Sequence, residues 1–388
     1  MKRLLLAVMA LMLASSLFAG SALAAAAPAG TKKPAVPTPE TAPDWQKKWN
    51  AVLANAKKEG QLNVYATAMM GAELRTAMAK TFKDQYGIDL NITPFSGSNL
   101  VVKVQEEQRA GLNIADVFCA GTTTFLLSMK PANLLGPIES LLILPEVTNP
   151  KAWEGGQLFT FDKKDHAMIN MLRVINRSVV YNTDLVKPDE FDSYRDFLKP
   201  QFKGKLTMPD PTQSGPGGWF ANHLCDIFGF EEGMRLLKDL ILKQEMVIQR
   251  DGRLHMETVA RGKYAVGLGG GTQYIADFLA LGAPIAIKVP KEGDGGGTSF
   301  GGMAVPVKSP HPNATALFVN WLLTREGQSL FAKYTGNPSR RLDASMEGVN
   351  PVFMPLPGEK VAWDTAEFTL QNARVSKAAK EILAQTQK

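Results

Sequence analysis

Cysteine and histidine are both scarce in this 388-residue chain, at two and four residues. Cys119 and Cys225 could form one disulfide at most, which excludes a disulfide-stapled scaffold. Two buried thiols are the simpler expectation. The four histidines, His166, His223, His255 and His311, are too widely spaced for a local metal-ligand motif. Runs of basic residues are also missing. The formal charge of +6 is spread along the sequence, so no polycationic segment suits nucleic acid. No apolar run beyond the first 24 residues is long enough to span a bilayer, and no short internal repeat is present.

The first 24 residues have their own logic. Lys2 and Arg3 precede an apolar stretch, Leu4 to Leu13, and Ala22-Leu23-Ala24 offers small residues for cleavage. This is the pattern of a secretory signal peptide, with a periplasmic product expected. Loss of Lys2 and Arg3 lowers the charge to +4, a mild bias towards anionic partners. Residues 25–44 carry Pro28, Pro34, Pro37, Pro39 and Pro43 among alanine and threonine, and read as a flexible leader.

From residue 45 onward the chain alternates between two periodicities. Trp45, Trp49, Val52, Leu53 and Ala56 recur at helical spacing, and Gly60 closes that helix. The segment "QLNVYA" (61–66) reads as a strand. Helices over 71–86 and 98–111 then alternate with strands over 89–95 and 115–120. The middle of the chain predicts strands over 167–181, 204–209, 246–249, 264–268 and 284–288. Helices over 217–229, 231–243, 253–261 and 272–281 separate them, and a last strand covers 300–307. Such alternation predicts an α/β fold with mostly parallel sheets flanked by helices.

The stretch "SPHPNATALFVNWLLTREGQ" (309–328) places His311 between two prolines, ahead of a helix. Asn313 is the expected N-cap, and Thr324 is the cap of a second helix. His311 therefore reads as part of a connection rather than as a catalytic or metal-binding group.

This stretch resembles the corresponding segment of solute-binding proteins of ABC importers, in the iron(III)-type or family-1-like branch. "AKKEGQLNVYA" (56–66), "FSGSNLVVKVQEEQRAGLNIADVFCAG" (95–121), "VVYNTDLV" (179–186) and "GKLTMPDPTQSG" (204–215) are similar to further segments of that family, in the same order. The resemblance implies a two-lobed periplasmic-binding-protein-like (type II) fold. Lobe 1 is expected to comprise 45–165 plus 300–388, and lobe 2 residues 166–299. The chain would cross near 165–176 and return near 296–302. A monomer that hands a small-molecule ligand to an inner-membrane ABC permease is implied, with no catalysis, no cofactor and no resident metal.

In open α/β sheets, ligands sit beyond the carboxyl ends of strands, where helix N-termini offer unpaired N–H groups. Four such loops supply candidates. They are Tyr65 and Thr67; Ser96, Ser98 and Asn99; Thr122 and Thr123; and Asp210, Thr212, Ser214 and Gly215. Each loop can also be read as simple capping. Arg173, set among apolar residues, needs either an anionic ligand or an internal carboxylate. Arg250 is a further charged candidate, with Arg253 beyond it. Trp219 and Phe220 are expected in the core. In "GLGGGTQY" (267–274), Thr272 and Gln273 take the places where iron-binding relatives carry adjacent tyrosines. A neutral amide cannot replace a phenolate on ferric ion, so an organic or inorganic anion, or a ferric chelate, is the expected ligand. Two other functions fit the same architecture. One is a transferase of the thiaminase type using Cys119 as nucleophile; the other is a ligand sensor for a membrane receptor.

Overall fold

The computed structural model describes residues 43–386 apart from positions 68, 160, 214 and 298–300. The expected signal peptide, leader residues 25–42 and the candidate Ser214 lie outside the described residues. Among the described residues no helix is long and apolar enough to cross a membrane.

Helices α1 (Asp44–Glu59) and α2 (Ala72–Tyr86) stop at Gly60 and Gly87. The φ angles there, 72° and 74°, are left-handed, which glycine adopts without the Cβ penalty. They alternate with β1 (Gln61–Ala66) and β2 (Asp89–Pro94). Then come α3 (Gly97–Arg109), β3 (Val117–Ala120) and α4 (Thr122–Thr124), which continues as a π-helical turn to Met129. Helix α5 (Pro145–Thr148) lies in a largely irregular stretch.

The single strand expected over 167–181 is three strands: β4 (Met168–Asn170), β5 (Val174–Asn176) and β6 (Val179–Asn182). Each belongs to a different sheet. Composition alone cannot show such breaks, because every piece is apolar and β-branched and only the pairing partners differ.

The next part runs through β7 (Leu206–Pro209), α6 (Pro216–Phe228), α7 (Phe230–Leu242) and β8 (Val247–Gln249). It continues through α8 (Gly252–Ala260), β9 (Val266–Leu268), α9 (Thr272–Ala280) and β10 (Ile285–Ile287). Strands β11 (Asp294–Gly297) and β12 (Gly302–Ala304) return the chain to helices α10 (Pro312–Leu323) and α11 (Arg325–Thr335). The end holds β13 (Val361–Trp363), α12 (Ala366–Leu370) and α13 (Asn372–Leu383).

Two five-stranded sheets result, ordered β2-β1-β3-β12-β4 and β10-β6-β9-β7-β8. Both are mixed. β1 runs parallel to β2 and β3, and β7 parallel to β8 and β9, whereas β12 pairs antiparallel with both β3 and β4, and β6 with both β9 and β10. A third sheet has three strands, ordered β13-β11-β5. Helix α10 lies in the first core, with Leu317, Phe318 and Trp321 buried. Helix α13 packs on α6 and α7, and Val375, Ala379 and Ile382 enter the second core. The resemblance groups 300–388 with lobe 1; within that range the apolar stripe of α13 packs against α6 and α7.

His311 is a fastening point. Its backbone N–H donates to Asp116 Oδ1 (2.9 Å), and its Nδ1 lies 2.9 Å from Asp116 Oδ2. Asp116 is fully buried and also accepts from Ser309 Oγ and the Asn63 amide. The N-terminus of α10 is not capped by Asn313 as expected. Pro312 starts the helix, and the Glu59 carboxylate of α1 accepts from the amides of Asn313 and Ala314. A carboxylate there satisfies two orphan donors and the helix dipole together. Thr324 does cap α11, accepting from the Gly327 amide at 3.1 Å.

Candidate functional site

The parallel strands of the first lobe deliver three loops to one edge of the sheet. The Thr67 amide donates to Cys119 O (2.9 Å), and the Phe95 amide to Ala66 O (2.7 Å). These bonds hold the loops after β1, β2 and β3 side by side. A Cβ at Gly97 would sit 3.0 Å from Thr124 Oγ1, so the N-termini of α3 and of the 122–129 helical segment converge.

The second lobe repeats the arrangement. The Asp210 amide donates to Gln249 O (2.9 Å), joining the loops after β7 and β8. Gly269 and Gly271, at φ of 68° and 67°, lie against Pro216 at the start of α6. The left-handed backbone lets the chain turn directly from β9 into α9 without a side chain in the way. The Tyr274 ring fills the space beside Gly252 and Gly271. The N-termini of α6 and α9 thus meet on a surface made of glycine and proline backbone.

The candidate side chains divide into two groups. Several are already committed inside the protein. Tyr65 donates to Glu107 Oε1 at 2.6 Å; burial, then the bond and charge of Glu107, push its hydroxyl pKa well up. Ser96 caps α3 by accepting from the Asn99 amide, and its Oγ lies 3.4 Å from that of Ser98. Asp210 Oδ1 accepts from both the amide and the hydroxyl of Thr212, a self-contained turn. Thr272 is buried; its hydroxyl accepts from the Arg177 amide (2.9 Å) and donates to Ile175 O (2.8 Å). Gln273 is exposed and donates to Asp277 Oδ1 within its own helix.

Arg173 lies between β4 and β5. Its guanidinium donates to Glu154 Oε1 at 2.9 Å, so the internal carboxylate supplies its partner. The buried Nε has no hydrogen-bond partner among the described residues. Thr122 is buried beneath its loop. Thr67, Asn99, Thr123 and Arg250 remain, with no side-chain hydrogen bond among the described residues, together with the bare backbone at Gly215. Phe220 is fully buried, as the core reading expects, whereas Trp219 is only partly buried and stacks on His223 (ring centroids 4.7 Å apart).

Cys119 is fully buried in β3, and burial alone pushes its thiol up to about 12. A nucleophilic cysteine needs the opposite environment, exposed and electropositive. Cys225 is likewise a buried free thiol, with burial raising it to about 12. Among the described residues no group of three or more His, Cys, Asp or Glu side chains could hold a metal ion.

Sequence reasoning missed the buried cluster at the turn between β5 and β6. Arg177, Asp294 and Glu359, each 1% exposed or less, form two ion pairs at 3.1 and 2.8 Å. Ser178 Oγ donates to Asp294, and Tyr194 Oη donates to Ser178 Oγ. Arg177 also donates to the carbonyls of Val352 and Met354. The signal that could have found it is an arginine in an apolar strand run, as for Arg173 four residues earlier.

Comparison with known proteins agrees with this architecture. The chain is 21% identical over 295 residues to iron uptake protein A1 of Synechocystis, covering 73% of this chain and 77% of that one. Its structure is similar to that of the Trichodesmium protein IdiA (FutA) in complex with iron and citrate ligands. That match has a TM-score of 0.67 and 17% identity, covering 83% and 99% of the two chains. It is also similar to the periplasmic binding protein AfuA from Actinobacillus pleuropneumoniae with fructose-6-phosphate bound. There the TM-score is 0.53 and identity 20%, covering 84% and 97%. Both likenesses show the two-lobed type II binding-protein fold. Residues 77–349 match the bacterial extracellular solute-binding proteins, and the chain belongs to that family.

Proposed function

We propose that this protein captures a small anion between its two lobes and delivers it, as a periplasmic monomer, to an ABC importer of the inner membrane. The observation that carries this reading is the pairing of helix N-termini on both lobes. The N-terminus of α3 adjoins that of the 122–129 segment, and α6 adjoins α9. Each N-terminus presents unpaired N–H groups and a partial positive charge. Four of them facing a common cleft would hold an oxyanion without any charged side chain, and Arg250 adds a cation at the edge of the second group.

Lobe 1 is built on the first sheet, with α1 and α10, and lobe 2 on the second, with α13 closing its core. The β13-β11-β5 sheet is the hinge of this reading. Thr67, Asn99, Thr123, Gly215 and Arg250 are the ligand contacts it favours, while Tyr65, Thr212, Thr272 and Gln273 shape the loops. A bare ferric ion would need several anionic oxygens. On the 269–274 loop only Tyr274 could supply one, so iron would enter as a preformed anionic chelate. The iron- and citrate-bound relative and the sugar-phosphate-bound relative both accord with an anion-accepting cleft.

The test is thermal-shift and native mass spectrometry with phosphate, citrate, ferric citrate, sugar phosphates and simple carboxylates. One anion should raise the melting temperature by mass action. The Thr123→Val and Arg250→Ala variants should bind it about tenfold more weakly without loss of unliganded stability. Preferential binding of neutral or cationic solutes at the cleft would overturn the reading. So would a tyrosinate-to-iron charge-transfer band on adding ferric ion without any chelator.

A further inference from the structure

A cavity of about 630 Å³ opens beside α1 and α10, and none of its lining residues belongs to either group of cleft loops. Its walls come from α1, α2, α5, α10 and α11. Trp45 and Trp49 stand on α1, Tyr86 ends α2, and Trp321 lies near the end of α10. Such a volume lies within the range of small-molecule sites.

The rings are held in place from behind. Phe82 packs against Tyr86 (centroids 5.0 Å apart) and Trp321 (5.2 Å), and Phe318 lies 5.7 Å from Trp321. Trp321 is buried, Trp49 is partly buried against the first core, and Trp45 is 37% exposed.

The charged lining is net negative. Glu146 and Glu326 contribute two carboxylates, and Arg325 one guanidinium. Arg341, which pairs with Glu146, is itself balanced by Asp343. Among the described residues, Glu326 accepts one side-chain hydrogen bond, from the neutral Gln85 Nε2 at 2.6 Å. The Tyr86 hydroxyl reports the same potential. Burial, then the charges of Glu326 and Glu146, push it up to about 12.

Aromatic faces and carboxylates share one preference, for a weakly hydrated cation. The geometry points to a second ligand site in this cavity, taking a small organic cation of the alkylammonium class. Trp45, Trp49 and Tyr86 would supply the π-faces, with Trp321 buried behind them, and Glu146 and Glu326 the counter-charge. Arg325, exposed at the rim, disfavours a dication and leaves room for a ligand with a polar tail. This site is independent of the anion cleft and stands whether or not the cleft reading holds.

Choline and its neutral isostere 3,3-dimethylbutan-1-ol separate charge from shape. Titration of the intact protein, followed by tryptophan fluorescence, should show saturable quenching by choline. The neutral isostere should bind about tenfold more weakly or not at all. Trp45→Ala and Glu326→Gln each alter an exposed residue, so both should fold. Each should weaken choline binding about tenfold, while Arg250→Ala in the cleft leaves it unchanged. Equal binding of choline and its isostere would overturn the proposal. So would choline binding that survives both cavity substitutions, or the absence of any saturable response.

Discussion

Thr272 shows how a side chain suited to ligand contact can be used for something else. Its hydroxyl bridges the Arg177 amide and the Ile175 carbonyl, tying the first turn of α9 to the end of β5. Thr272→Val keeps the shape and removes both bonds, leaving a buried donor and a buried acceptor unpaired. The expected cost is about 1–3 kcal/mol in urea denaturation. Affinity for the cleft ligand should fall less than for Thr123→Val; a loss of affinity at unchanged stability would instead place the hydroxyl on the ligand. His311 carries a related lesson. Its flanking prolines mark it as a connector from sequence alone. Its partner, Asp116, lies 195 residues away in sequence, and no local pattern announces such a pair.

At the scale of elements, β11 is the least ordinary strand. Its sequence Asp-Gly-Gly-Gly argues against a strand on propensity, yet all four residues are buried. Rings and an amide take the space that side chains would fill. Gly295 faces Trp219 and His223, Gly296 faces Trp363, and Gly297 faces Asn176. A methyl at Gly296 would overlap the Trp363 ring, so Gly296→Ala should destabilise by about 1–3 kcal/mol, read from the denaturation midpoint. A neutral outcome would mean that Trp363 moves freely. The glycine run is plain in the sequence, but its meaning is not, because the rings that need the space come from α6 and β13. The run over 167–181 is the converse case. Its apolar pattern is legible, and its division among three sheets depends on pairing that only the folded chain defines.

For the molecule as a whole, the turn between β5 and β6 concentrates charge in a buried place. One guanidinium, Arg177, faces two carboxylates, Asp294 and Glu359. Burial raises Asp294 to about 6, against the pull of Ser178 and Arg177 and with the push of Glu359. The folded protein therefore holds a proton that the unfolded chain releases near its ordinary value of 3.8. The stabilisation this gives is complete below about pH 4 and is lost as pH rises through about 6. Asp294→Asn mimics the protonated group at every pH. The variant should gain stability relative to the wild-type protein as pH rises from 4 to 6.5, measured by paired urea titrations. A difference that is flat with pH would show that Asp294 stays ionised throughout.

The amino-acid sequence by itself determined the alternation of strands and helices, the glycine stops at Gly60 and Gly87, the Thr324 cap, and the ordered segments that resemble solute-binding proteins. All of these depend on neighbours within a few residues, where backbone sterics and side-chain periodicity act directly. Only the tertiary structure decided which loop hydroxyls stay available, that Glu59 caps α10, that α13 closes the second core, and that Arg177 is locked between two carboxylates. Those outcomes rest on groups brought together from distant parts of the chain. Their energies come from burial and pairing that do not exist until the sheets have formed.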